Sequence, residues 1–184
     1  HELQWLNPKE KMREAAHEHV LDTIGVAEGL GADYVLTVPS YGFDVAERPR
    51  EKCIENYKRI SEETHLNILI EALSPKQTGF LPSLPEVAGL VKEIDSNNVG
   101  LAADTWHIEE ASGEVVDTLR QLKGEISELH LRDTDSKPPG RGNMDFKAVL
   151  DASSPRLWCL EFDMNTKEDL IGAVRHLRSL GLDV

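Results

Sequence analysis

The sequence predicts an α/β protein built on a parallel sheet. Five short, largely apolar segments alternate with segments of helical periodicity. The strands carry few polar residues, as expected when both faces are covered. No composition break or linker interrupts the alternation, so residues 1–184 are expected to form a single domain. Such an order leaves two architectures, a (β/α) barrel or a doubly wound sheet. No GxGxxG follows the first strand and no GxxxxGK[ST] occurs, which removes the main support for a nucleotide-binding wound sheet.

Asn7-Pro8-Lys9-Glu10 reads as a helix start, with Asn as N-cap and Pro in the first turn. The stripe Met12, Ala16, Val20, Ile24, Ala27 follows until Gly29 and Gly31 end it. Residues 34–39 (YVLTVP) form the first expected strand. A helix with Cys53, Tyr57, Ile60 and Thr64 on one face leads to the strand 67–73 (NILIEAL). Ser83-Leu84-Pro85-Glu86 is a capping-box start for a helix burying Val87, Leu90, Val91 and Ile94. The strand 99–104 (VGLAAD) and a helix over 114–122 follow, with 105–113, including Glu109-Glu110, read as a solvated loop.

The strand 126–131 (ISELHL) opens into a polar, Pro/Gly-rich loop at 132–143. A short helix over 146–150 precedes the strand 157–162 (LWCLEF). Thr166 and Asp169 cap the last helix, with Leu170, Ala173, Val174, Leu177 and Leu180 as its apolar face.

Acidic residues outnumber basic ones 33 to 20, a formal net charge of −13. Such a surface repels nucleic-acid phosphate and anionic lipid, and suits a neutral small substrate. No apolar run approaches the roughly 18–20 residues needed to cross a bilayer, and no signal-peptide pattern opens the chain. A cytoplasmic protein is the resulting expectation, with neither nucleic acid nor membrane as partner. Cys53 and Cys159 have no CxxC partner and are read as reduced and buried.

Chemistry-bearing residues gather at the strand ends. Glu71 lies in ILIEAL, Asp104 in LAADTWH, His130 in ELHLRD and Glu161 in LEFD. They are 33, 26 and 31 residues apart by subtraction, about one βα repeat each. In a parallel barrel the C-terminal ends of the strands carry function, so four such residues would converge at one mouth. Unpaired carboxylates there would repel by several kcal/mol at low effective dielectric. One divalent cation resolves that repulsion, and carboxylates with one imidazole suit Mn²⁺, Mg²⁺, Co²⁺ or Zn²⁺. A single strand-end carboxylate more often caps the next helix or pairs with a lysine. Three carboxylates and a histidine at equivalent points of successive repeats are much harder to attribute to that.

His107, three residues beyond Asp104, is placed to reach a substrate hydroxyl, against the plainer reading of a surface loop histidine. Trp106 is expected to pack. The loop Lys137-Pro138-Pro139-Gly140-Arg141-Gly142 reads as a lid or rim, in which Lys137 or Arg141 would hold a substrate oxygen or remain solvated.

These segments, IEAL at Glu71, ADTWH, HLRD followed by PPGRGNMDF, and LEFD, resemble the xylose isomerase-like TIM-barrel superfamily in its sugar isomerase/epimerase branch. The resemblance implies a (β/α)8 barrel with Glu71, Asp104, His130 and Glu161 as metal ligands. It further implies that Glu71 and Glu161 remove and return a proton on opposite faces of a small sugar-like carbonyl substrate, with His107 on a substrate oxygen. The epimerases of the family carry an arginine just before the PPG turn, where this chain has Ser136 and Lys137. An inosose- or shikimate-type dehydratase would use the same ring. An apurinic endonuclease would need histidines in the loop after His130, and residues 132–145 contain none. Relatives are often dimers or tetramers, which makes a homo-oligomer a further implication.

A full barrel needs about 250 residues. Aligned on these motifs, the five strands correspond to strands four to eight, with residues 1–6 as the tail of strand three. The chain is therefore expected to be the C-terminal portion of a longer barrel protein.

Overall fold

The computed structural model describes residues 4–183. They form two compact units, one ending at residue 102 and the other beginning at residue 103. The first unit contains α1 (Glu10–Gly29), β1 (Tyr34–Thr37), α2 (Pro49–Glu63), β2 (Asn67–Glu71), α3 (Leu84–Ile94) and most of β3 (Val99–Asp104). The second contains the last two residues of β3, α4 (Thr105–Ser112), α5 (Val115–Gln121), β4 (Ile126–Leu131), α6 (Phe146–Ala152), β5 (Leu157–Leu160) and α7 (Lys167–Ser179). A single 3₁₀ turn, Thr134–Ser136, follows β4.

The strands run β1-β2-β3-β4-β5 in chain order. A doubly wound sheet reverses its strand order at a switch point, whereas a barrel adds each strand beside the last. The unreversed order of five parallel strands is that of a partial (β/α) barrel.

In the first unit β1 pairs with β2 from Tyr34↔Asn67 to Thr37↔Ile70, and β2 with β3 from Ile68↔Val99 to Glu71↔Ala102. Ile68, Leu69 and Ile70 are all buried, as an apolar strand covered on both faces requires. Cys53, Tyr57 and Ile60 of α2 and Val87, Leu90 and Ile94 of α3 are buried in the same core. Arg50 of α2 grips Glu93 of α3 through two hydrogen bonds of 2.9 and 2.7 Å. The Asn98 amide donates to the carbonyls of Ser61, Thr64 and Leu66, which fixes the chain where α2 turns into β2.

In the second unit β4 pairs with β5 from Glu128↔Leu157 through His130↔Cys159 to Leu131↔Leu160. Leu129, Leu131, Phe146, Val149, Ala173 and Leu177 are buried there, whereas Cys159, expected to be buried, is only half-buried on β5.

Local differences from the expected elements have identifiable causes. Residues 1–3 of the expected strand tail lie outside the described residues, and Trp5 and Leu6 form a buried turn. Helix α1 starts at Glu10 because the Asn7 side chain accepts the Lys9 N–H, 2.9 Å away, and Lys9 remains extended. Residues 105–112 are helical, not a loop: Asp104 caps the start and Gly113, at φ +72°, ends the helix. Glu109 and Glu110 therefore lie on α4. Along α7, Ala173 and Leu177 are buried while Leu170 is 42% exposed. Among the described residues, no helix is long and apolar enough to cross a membrane.

Candidate metal centre

Asp104 is the last residue of β3, His130 the penultimate residue of β4, and Glu161 the first residue beyond β5. Within the second unit these three offer ligand atoms that all lie within 4.8 Å of one another. His130 Nδ1 is 2.7 Å from Glu161 Oε2 and 4.0 Å from Asp104 Oδ2. Asp104 and His130 are 1% and 2% exposed, whereas the Glu161 side chain is 46% exposed.

Asp104 uses its two oxygens differently. Oδ1 accepts the N–H groups of Trp106 and His107 at 2.7 and 3.0 Å, capping α4. Oδ2 faces His130 and Arg132. N-capping needs only one of its oxygens, so the cap is compatible with a ligand role for the same carboxylate.

Arg132 belongs to this cluster and was missed by reading the sequence. Its Nη2 is 3.1 Å from Asp104 Oδ2 and also contacts Glu161 Oε1, while Nε donates to the Glu161 carbonyl at 3.0 Å. The guanidinium carbon lies 5.1 Å from the centroid of the Trp106 ring, so Trp106 does pack, and packs beneath a cation. The signal was present in HLRD: residues 130 and 132 are two apart on extended chain and share a face. Thr105 was missed as well. Its hydroxyl donates to the Arg132 carbonyl at 2.6 Å and accepts the Arg132 N–H at 2.9 Å, stapling the start of α4 to the end of β4.

The Glu161 carboxyl is pulled down to about 2 by its hydrogen bond from His130, reinforced by Arg132. His107, expected either at the surface or near substrate, is buried in the first turn of α4, its ring 4.9 Å from that of Trp106. Burial pushes its imidazole down to about 4, with the nearby Arg132 charge adding to the effect. The ring is therefore neutral near pH 7 and carries one N–H and one lone pair.

Glu71, the remaining expected ligand, is the last residue of β2 in the first unit, 6% exposed and in register with Ala102. Of the two loop cations, Lys137 pairs with Asp135 at 2.9 Å on the surface. The Arg141 charge acts on Asp169 of α7. The loop itself is fastened. Asp133, fully buried, accepts the N–H groups of Thr134, Gly140, Gly142 and Met144 at 2.8–3.0 Å. The segment is thus a fixed rim and not a free lid.

The donor set suits a divalent cation. Two carboxylates and an imidazole, the hard and borderline donors such a cation takes, converge at strand ends, and without metal Arg132 offsets part of the carboxylate charge.

Residues 1–153 match the sequence profile of the xylose isomerase-like TIM barrel family. The chain belongs to the xylose isomerase-like TIM barrel family. The D-psicose 3-epimerase of Ruminiclostridium cellulolyticum is 23% identical over 123 residues, covering 65% of this chain and 40% of that protein. The chain thus spans well under two thirds of the length of this relative. The structure of D-psicose 3-epimerase with D-tagatose from Clostridium cellulolyticum H10 superposes with a TM-score of 0.74 at 19% identity, covering 99% of this chain and 68% of that one. The IolI protein with a bound zinc atom superposes with a TM-score of 0.78 at 21% identity, covering 96% of this chain and 72% of that one. At these identities the superpositions establish the fold alone. A xylose isomerase-like barrel carries its chemistry at the C-terminal strand ends, which is where Asp104, His130 and Glu161 stand.

Proposed function

We propose that this chain forms the metal-binding part of an isomerase or epimerase that acts on a small sugar-like carbonyl compound. Its metal ligands are Glu71, Asp104, His130 and Glu161. The observation that carries the reading is the meeting of Asp104, His130 and Glu161 at strand C-terminal ends in a barrel of this family. Glu71 is assigned as the fourth ligand because it holds on β2 the position Asp104 holds on β3, the last strand residue, and is likewise buried. The sugar-epimerase relatives support the substrate class.

A divalent cation such as Mn²⁺, Mg²⁺, Co²⁺ or Zn²⁺, when bound, polarises a carbonyl and its neighbouring hydroxyl and makes the hydrogen on the intervening carbon acidic. One of Glu71 and Glu161 takes that proton and the other returns one to the opposite face. The two carboxyls then exchange protons with solvent to reset. Arg132 orients Glu161 through its contacts with the carboxylate and the main-chain carbonyl. His107, neutral and buried, offers hydrogen bonds to hydroxyls in preference to anions. Lys137 and Arg141 are candidates for outer substrate contacts, each on leaving its present partner. The net charge of −13 favours a neutral substrate over a nucleic acid.

The test is a panel of free ketoses incubated with full-length protein loaded with Mn²⁺ or Co²⁺ and resolved by chromatography. Metal-dependent interconversion of one ketose with its epimer or aldose isomer is expected. Glu161→Gln should lower kcat about 10²–10⁴-fold, the usual worth of a general acid–base group. Full turnover by Glu161→Gln would rule out the two-glutamate mechanism.

A further inference from the structure

We propose that Glu128 is a positioning residue that holds the Nε2 proton of His130 and so presents the Nδ1 lone pair to the metal. The inference rests on the metal reading above and adds to it a residue that touches neither metal nor substrate.

Residues 128 and 130 of β4 are two apart and project from the same face of the sheet. Glu128 Oε1 lies 3.1 Å from His130 Nε2. The other ring nitrogen, Nδ1, faces Glu161 at 2.7 Å and Asp104 at 4.0 Å. The two nitrogens therefore look in opposite directions, one toward the donor cluster and one toward Glu128. A neutral imidazole has one N–H and one lone pair, and only the lone pair binds a cation. Without metal, Nδ1 hydrogen-bonds Glu161; ligation through Nδ1 would replace that bond, release any Nδ1 proton to solvent and keep the proton on Nε2, where Glu128 supplies the acceptor. His130 is 2% exposed, so water is a poor substitute for that acceptor. A carboxylate behind a ligand histidine fixes the tautomer and ring orientation and raises ligand basicity, and its loss typically costs 10–100-fold in metal affinity.

Cys159 is in register with His130, and its sulfur lies within 4.8 Å of ligand atoms of Glu128 and His130. A second cation held by that trio would need the Nε2 proton removed and one imidazole shared between two positive charges. The single proton on Nε2 meets the geometry without that cost.

The experiment is titration of metal-free full-length protein with Co²⁺, followed by visible absorption. Wild type is compared with Glu128→Leu, Glu128→Gln and Cys159→Ser, with circular dichroism as the folding check. Glu128→Leu should weaken binding about 10–100-fold. Glu128→Gln, whose amide oxygen still accepts from Nε2–H, should stay close to wild type, as should Cys159→Ser. If Glu128→Leu unfolds the protein, the Gln variant carries the test together with ¹⁵N-histidine spectra of the Zn²⁺ form, which should show a protonated Nε2 and an unprotonated Nδ1. The proposal is overturned if folded Glu128→Leu binds as wild type does. It is overturned equally if Gln fails to restore binding, if Cys159→Ser weakens it as much, or if Nδ1 carries the proton. Wild type that binds no Co²⁺ removes the metal reading itself and this inference with it, a result distinct from those four.

Discussion

Asp104 shows how one side chain can serve both the fold and the proposed metal site. Its Oδ1 closes the first turn of α4, and that turn buries His107 behind Trp106. Burial of His107 has a measurable consequence. Its imidazole is held down near 4 against an ordinary value of 6.5, so between those values the unfolded chain binds a proton that the folded chain refuses. Stability at this residue is therefore complete above about pH 6.5 and falls as the pH drops toward about 4. In urea titrations of metal-free protein, the unfolding midpoint of wild type should fall faster between about pH 7 and pH 5 than that of His107→Gln. Parallel curves would show that His107 does not titrate as a buried base. At this scale the sequence was readable where a residue recurred once per βα repeat, as Asp104, His130 and Glu161 do. Arg132 and Glu128 escaped because each stands beside a recurring residue and repeats nothing itself.

Among the elements, the segment from Asp133 to Asp145 is gathered around one buried carboxylate, with further bonds from the Asn143 N–H to the Thr134 hydroxyl and from the Asp163 N–H to the Ser136 carbonyl. Its proline and glycine content announced a structured loop, but the anchor is Asp133, whose acceptors take four main-chain N–H groups. Close packing around that anchor explains the glycines: a Cβ at Gly142 would come within 2.3 Å of Asp133 Oδ1, and Gly140 adopts φ +85°. Asp133→Ala leaves four donors without an acceptor. It should lower unfolding free energy by about 2–4 kcal/mol in urea denaturation of the full-length protein. A loss below about 0.5 kcal/mol would mean the loop is held by something else.

The strands were legible to within a few residues because each is a compact apolar run. Helix α4 was not. Its short, mixed stretch TWHIEEAS carries no clear apolar stripe, and only its caps, Asp104 and Gly113, mark it. The expected start of α1 was two residues early, since a local Asx turn at Asn7 competes with helix entry.

For the whole chain, alternation alone left barrel and wound sheet open, and the unreversed strand order decides between them. Order in space is the part that apolar patterning does not encode; it came into view only through the strand-end residues, whose spacing made sense in a barrel. The charge of −13 is legible directly and bears on partners, not on fold. Substrate identity is carried by contacts that no repeat or period marks, which is why Lys137, Arg141 and His107 could be named but not ranked.

Proton abstraction beside a metal-polarised carbonyl exposes a substrate hydrogen to exchange with solvent. Full-length protein loaded with Mn²⁺ or Co²⁺ is incubated with the ketose panel in deuterium oxide and followed by proton NMR. Metal-dependent loss of the signal from the hydrogen next to the carbonyl of at least one ketose is expected, abolished by Glu71→Gln or Glu161→Gln. Epimerisation or isomerisation that proceeds without deuterium entering that carbon, or exchange that persists in both glutamate variants, would contradict that mechanism.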